Sequence, residues 1–154
     1  MTRRHDGLLP LTHDHHHALA QARHLRLAAG GGSRELFLES QSFLEFFYED
    51  TVNHFREEEE VVFPLAMADE RASGLLSRVV TEHLQIHALV AQLALEVEGA
   101  WVHSATAIRL AEHLEAHIRL EEREAFPLLE QVVSDDQLRK ITYATRARSS
   151  PVPV

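Results

Sequence analysis

Two stretches of the sequence, EDTVNHFREEEEVVFPL at residues 49–65 and EHLEAHIRLEEREAFPL at residues 112–128, repeat one another at a distance of 63 residues. An amphipathic period alone would repeat the apolar class of a residue, but it would not repeat histidine, glutamate and proline in register. The chain is therefore predicted to contain two related helical hairpins. The positions of the first stretch that recur unchanged in the second are Glu49, His54, Arg56, Glu58, Glu59, Phe63, Pro64 and Leu65.

Apolar residues on either side of these stretches also recur at helical spacing, and no segment alternates like a strand. We predict four long helices, at 12–29, 34–67, 73–97 and 104–133, with Thr12 and Ser73 as N-caps of the first and the third. Ser134 and Gln137 form a capping-box pattern that predicts a short fifth helix at 138–146. Short connections favour an all-α, up-and-down antiparallel four-helix bundle. The predicted divisions are an N-terminal segment 1–10, the bundle 11–133, and a C-terminal helix with a frayed tail 134–154.

Composition excludes several classes of protein. The formal charge of −9 argues against a nucleic-acid partner, because phosphate binding needs a basic surface. The absence of cysteine excludes disulfides, iron–sulfur clusters and thiolate zinc sites, and leaves nitrogen and oxygen as metal ligands. No apolar run reaches membrane-spanning length, and the first ten residues lack a signal-peptide core, so we expect a cytoplasmic protein with no membrane partner.

Histidine is the unusual residue, with 12 in 154 positions. In each repeated stretch a histidine stands four residues before a glutamate, a spacing that places both side chains on one face of a helix. A second pair of histidines has the same spacing, and a further histidine lies on the core stripe of the first helix. Five imidazoles and two carboxylates suit iron, manganese or zinc better than calcium or magnesium. The candidate ligands are His15, His54, Glu58, His83, His87, His117 and Glu121.

A purely structural role is a weaker explanation for these residues, because burying imidazoles and carboxylates in a bundle core without a metal is costly. The ligand on the first helix is open between His15, which lies on the apolar stripe, and its neighbour His16. Among the remaining acids near Glu58, we read Glu57, Glu59 and Glu60 as a solvated face. His113, one turn before His117, is predicted to support that ligand from outside.

The run Asp14-His15-His16-His17-Ala18-Leu19, the pair His54 and Glu58, the run Glu82-His83 with His87, and the pair His117 and Glu121 followed by Phe126-Pro127 resemble the hemerythrin family. The resemblance covers residues 11–129 and is nearest to the bacterial HHE cation-binding domains. It implies a non-haem centre of two iron ions with an oxo or hydroxo bridge, in which Glu58 and Glu121 are the bridging carboxylates. Zinc or manganese are alternative metals. In the oxygen carriers the last carboxylate is an aspartate one residue further on, so Glu121 favours the cation-binding branch.

The leading hypothesis is a binding protein rather than an enzyme. Two six-coordinate iron ions would offer about twelve coordination positions, of which the imidazoles, the bridging carboxylates and the oxygen bridge would fill about eleven. The open position on reduced iron would bind O2 or NO. Sensing or storage of iron fits the same ligands. The alternatives are a di-iron enzyme that acts on peroxide or nitric oxide or repairs iron centres, and a helical interaction module with a structural metal. A ferritin-like oxidase is disfavoured, since no histidine follows a glutamate by three residues. The chain is expected to be a monomer or a homodimer.

Overall fold

A computed structural model describes residues 3–141 and confirms the all-α bundle. Helix α1 is Leu9–Ala29, and α3 is Glu70–Glu98. Helix α2 runs without a break through Ser33–Phe46, Phe47–Thr51, Val52–Glu57, Glu58–Val62 and Phe63–Leu65. Helix α4 likewise comprises Ser104–Leu120, Glu121–Ala125 and Phe126–Val132. Helix α1 packs against α2 and α4, α3 packs against the same two helices, and short connections make successive helices antiparallel.

Two of the predicted helix starts are wrong. Helix α1 begins at Leu9, because Pro10 fits the first helical turn, where its missing N–H has no intrahelical role. The Thr12 hydroxyl instead donates a hydrogen bond to Glu122. Helix α3 begins at Glu70, because the Asp69 carboxylate accepts the Arg71 backbone N–H and so acts as the N-cap in place of Ser73.

The predicted capping box is present. The Gln137 N–H donates to the Ser134 hydroxyl at 3.2 Å, and the Ser134 N–H donates to the Gln137 side chain at 3.3 Å. These bonds open a short helix, α5, which begins at 135 rather than at the predicted 138 and continues to the last described residue, 141. The predicted remainder of that helix, 142–146, lies outside the described residues. No helix in the described part of the chain is long and apolar enough to cross a membrane.

The interior consists of two apolar clusters with a layer of buried polar side chains between them. One cluster includes Phe43, Phe47, Leu93 and Leu110. The other fills the end of the bundle that α5 covers, and it includes Leu8 of the segment before α1. On each long helix, the nearest residues of the two clusters are no more than about two helical turns apart. The polar layer is therefore at the same depth on all four helices.

Three turns of the bundle have π-helical hydrogen bonds, Phe47–Thr51, Glu58–Val62 and Glu121–Ala125. The last two are equivalent in the internal repeat, and each begins at a predicted ligand. In each, the N–H of the phenylalanine bonds the carbonyl five residues earlier, and a proline follows directly. Proline cannot donate a helical hydrogen bond and crowds the preceding turn, so a wider turn relieves both problems.

Candidate metal centre

The polar layer contains six of the seven predicted ligands. All six side chains are at most 6 % exposed, and they come from all four long helices: His15, His54, Glu58, His83, His117 and Glu121. Their potential ligand atoms form two sets, and within each set the atoms lie within 4.8 Å of one another. One set has two imidazoles from α1 and α2, and the other has two imidazoles from α3 and α4. We call them the His15/His54 half-site and the His83/His117 half-site.

In the His15/His54 half-site the two Nε2 atoms face each other at 3.0 Å. His54 Nε2 lies 3.0 Å from Glu58 Oε1, and His15 Nε2 lies 2.9 Å from Glu121 Oε2. Two nitrogens and two oxygens therefore point at one place. Neighbouring ligands about 2.1 Å from a metal at a right angle would be about 3.0 Å apart, so these separations suit one coordination shell.

The His83/His117 half-site uses the other oxygen of each carboxylate. His83 Nε2 lies 3.3 Å from Glu58 Oε2 and 3.5 Å from Glu121 Oε1, and His117 Nε2 lies 3.1 Å from Glu121 Oε1. Each glutamate thus presents one oxygen to each half-site. This is the arrangement of a carboxylate that bridges two cations.

Most of the buried polar atoms at the site have no hydrogen bond of acceptable geometry, although imidazole nitrogens lie as close as 2.9 Å to the glutamate oxygens. All four oxygens of Glu58 and Glu121, and the Nε2 atoms of His83 and His117, are without a partner although none is open to water. Buried polar groups in native proteins are nearly always satisfied, and leaving them unpaired is costly. Metal ions would satisfy all of these atoms together, so the donor set fits a metal site.

Charge in the layer is balanced between the two kinds of ligand. Burial disfavours the charged imidazole, but Glu58 and Asp14 outweigh it and raise the pKa of His54 to about 9. Burial likewise opposes the charge on His83, and Glu121 and Glu58 raise its pKa to about 10. Despite their own burial, both glutamates have a pKa below the usual range because of the facing imidazoles. Protons on His54 and His83 would offset the charge of the two carboxylates in the metal-free chain, and bound cations would displace them.

Four carboxylates outside the predicted ligand set form an outer ring, in which each carboxylate lies beside the Nδ1 atom of one imidazole. Asp14 on α1 lies 3.1 Å from His54 Nδ1, and Glu59 on α2 lies 2.7 Å from His83 Nδ1. Glu122 on α4 lies 2.6 Å from Nδ1 of His15 on α1.

The remaining pair is Glu82 on α3 and His117 on α4, at 3.7 Å, which is longer than a hydrogen bond. Each helix therefore places a carboxylate beside the imidazole of the next helix around the bundle. A carboxylate at the outer nitrogen fixes the orientation and tautomer of a metal-binding histidine.

The sequence interpretation missed this ring. Glu59 was read as solvated, and its side chain is indeed 38 % exposed, but its carboxylate also contacts Nδ1 of the buried His83. The internal repeat was the available signal, because Glu59 and Glu122 are equivalent in it. His113 is exposed, and Glu82 takes the position beside His117 that was predicted for it.

Two predictions remain, the choice between His15 and His16 on α1 and the position of His87. His15 lies in the layer and His16 is exposed, so the geometry favours His15 as the residue of α1 that faces the site. His87 is half-buried and belongs to neither ligand set. Its ring lies edge-on to Phe47 and Phe55, with ring centroids 5.4 and 5.8 Å away.

A cavity of about 30 Å³ leads from the surface to the His15/His54 half-site. A water molecule needs about 10–15 Å³ of such space, so the cavity has room for a very small molecule. Four residues of the polar layer line it, His15, His54, His117 and Glu121, whereas Glu58 and His83 do not. Its other walls are mainly apolar, but they include Thr51, whose buried hydroxyl has no hydrogen-bond partner. The remaining lining residues are Asp14, His17, Ala18, Phe46, Asp50, Phe55, Leu114 and Ile118.

The fold and the site together define a four-helix bundle protein whose core holds a cluster of buried histidines and glutamates that fits a metal site. A family model, the hemerythrin HHE cation-binding domain, matches residues 7–129. The chain belongs to this family. Neither a curated protein nor a solved structure significantly matches it.

Proposed function

We propose that this chain holds two iron ions between its helices and binds O2, NO or another small diatomic molecule at them, or senses or stores iron through the same centre. The observation that carries the proposal is the position of the two glutamates. One oxygen of Glu58 lies 3.0 Å from His54 and the other lies 3.3 Å from His83. One oxygen of Glu121 lies 2.9 Å from His15 and the other lies 3.1 Å from His117. Two half-sites linked in this way favour two cations.

In this proposal His15 and His54 hold one ion, and His83 and His117 hold the other. His87, one turn after His83 on α3, is the proposed third imidazole of the second ion. Glu58 and Glu121 are shared. Reduced iron at such a centre supplies an open coordination position and an electron for a diatomic ligand.

The chain's own residues decide where a diatomic molecule can approach. The cavity reaches the His15/His54 half-site because Ala18 is small. The equivalent residue on α3, three positions after His83 as Ala18 is three after His15, is the fully buried Ile86. Phe55 also stacks on His83, with ring centroids 3.8 Å apart, and so covers that imidazole. These differences favour ligand binding on the side of the centre that carries His15 and His54, away from His83.

The Thr51 hydroxyl gives the cavity a potential hydrogen-bond donor. It is buried, and its oxygen has no partner in the structure. A polar ligand in the cavity would accept a hydrogen bond from this hydroxyl. The apolar walls would keep water out. We propose that Thr51 stabilises the bound diatomic molecule.

The test is anaerobic loading with Fe2+ followed by O2 or NO. We expect a visible absorption band on exposure to the gas and no such band in Glu58→Ala. The matched control is Glu60→Ala, since Glu60 is exposed and outside the ligand sets, and it should keep the band. A colourless wild-type protein with its iron bound would refute gas binding. Peroxide turnover faster than that of free iron would favour the alternative of a di-iron enzyme.

A further inference from the structure

The segment before α1 is tied to the side of the bundle that carries Glu122. The Arg4 guanidinium, which is 17 % exposed, donates to the Glu122 backbone carbonyl at 2.8 Å and to the Glu122 carboxylate at 2.9 Å. It also donates to Glu130 at 2.9 Å, and the His5 N–H donates to the same Glu130 oxygen. Gly7 lets the segment pass close to α5, because a side chain there would collide with the Leu138 carbonyl.

Arg4 contacts both of the groups that hold the His15 ring in place. Glu122 is bound to His15 Nδ1, as described above. Phe126 stacks on the His15 ring, with centroids 5.2 Å apart and planes 19° from parallel. The Arg4 guanidinium lies 5.4 Å from the centre of the Phe126 ring, within the range of a cation–π contact. One arginine thus fixes the carboxylate at the edge of the imidazole and the ring against its face.

The internal repeat provides the comparison. Glu59 contacts His83 as Glu122 contacts His15, but no arginine in residues 3–141 bonds its carboxylate. Burial opposes the charge on Glu122, yet its bonds to His15, Thr12 and Arg4 lower its pKa to about 2. Glu122 is therefore fixed by three partners, whereas the structure gives Glu59 one. The two half-sites differ in how firmly their outer carboxylates are held.

We propose that Arg4 is a positioning residue for the metal centre, acting through Glu122 and Phe126 on His15. The inference rests on the proposed metal-binding function and extends it, since Arg4 precedes the residues that the family model matches. The segment before α1 is then part of the His15/His54 half-site. Its loss weakens the hold on one of the two ions.

The experiment measures metal release. Wild-type protein and variants are loaded with Zn2+ and mixed with an excess of a chromophoric chelator, and the release of each ion is followed. Arg4→Met keeps the apolar stem and removes the charge, and it should release one ion at least about tenfold faster, as expected when support of a ligand histidine is lost. Arg4→Lys should be intermediate. Arg3→Met is the matched control, because Arg3 is 81 % exposed and pairs with the exposed Asp6.

A double-mutant cycle separates positioning from general destabilisation. Arg4→Met should accelerate release less in a Glu122→Gln background than in the wild type, because only the route through Phe126 remains, and it should keep its full effect on Glu59→Gln. Equal acceleration of both ions, or additive effects with Glu122→Gln, would overturn the proposal. So would unchanged release from Arg4→Met while the wild type holds two ions. A wild-type chain that takes up no metal would instead overturn the proposed function, and the role of Arg4 with it.

Discussion

Replacing Ala18 by isoleucine tests whether the cavity admits the ligand. The substitution gives α1 the residue that α3 has at the equivalent position, where Ile86 is 1 % exposed. The added carbons enter a cavity of about 30 Å³, which has room for about two water molecules, so little space would remain. We expect the affinity for O2 or NO to fall at least tenfold, or about 1.4 kcal/mol. Crowding in the packed layer should cost about 1–3 kcal/mol of folding free energy.

The assay is a gas titration of the iron-loaded protein, with iron content and urea unfolding measured on the same sample. Iron content should stay at the wild-type value, because Ala18 is not a ligand. The reciprocal variant, Ile86→Ala, should cost about 2–5 kcal/mol of stability and leave gas affinity on the His15/His54 side unchanged. Unchanged affinity in Ala18→Ile with the iron in place would refute the assignment of the cavity as the ligand path.

Three further predictions concern single side chains. Glu59→Gln should lower metal affinity about 10–100-fold, measured by competition with a chelator, whereas Glu60→Gln should leave it unchanged; equal effects would contradict the role of the outer ring. Thr51→Val should stabilise the metal-free protein by about 1 kcal/mol, because it removes an unpaired buried hydroxyl, and should shorten the lifetime of the bound gas; a longer lifetime would contradict the proposed hydrogen bond. Burial opposes the charge on Glu96, but hydrogen bonds from Thr106 and the His103 N–H lower the pKa of this glutamate. The stability that the charged Glu96 contributes is therefore complete above the ordinary pKa of 4.5 and is lost as the pH falls towards the folded-state pKa. Acid unfolding of Glu96→Gln should lack this part of the pH dependence, and an unchanged profile would show that these bonds do not stabilise the fold.

The features that sequence predicted best are those with two independent signals. The bundle and the buried cluster on α2 and α4 follow from both helical periodicity and the repeat of His54 and Glu58 in His117 and Glu121. The buried position of His15 followed from its place on the apolar stripe alone. Helical periodicity is a local signal, because a helix fixes which residues share a face.

Contacts between helices were beyond the sequence pattern. Glu59 looks like any exposed acid in an acidic run, and only the position of α3 shows that its carboxylate reaches His83. Arg4 is one of two adjacent arginines, and nothing local distinguishes it from the exposed Arg3. The start of α3 was wrong for a related reason, because Asp69 and Ser73 are both good N-caps and packing decides between them. For His87 the sequence and the structure still differ, and its role as a ligand stays a prediction.

The central claim is that the buried layer binds two metal ions through shared carboxylates. The most direct test is elemental analysis of the full chain purified without added metal, beside a variant with Glu58→Gln and Glu121→Gln together. We predict two ions per wild-type chain, mainly iron, and a near-complete loss in the variant. A wild-type chain that remains metal-free even after loading, or a variant that keeps both ions, would contradict the claim.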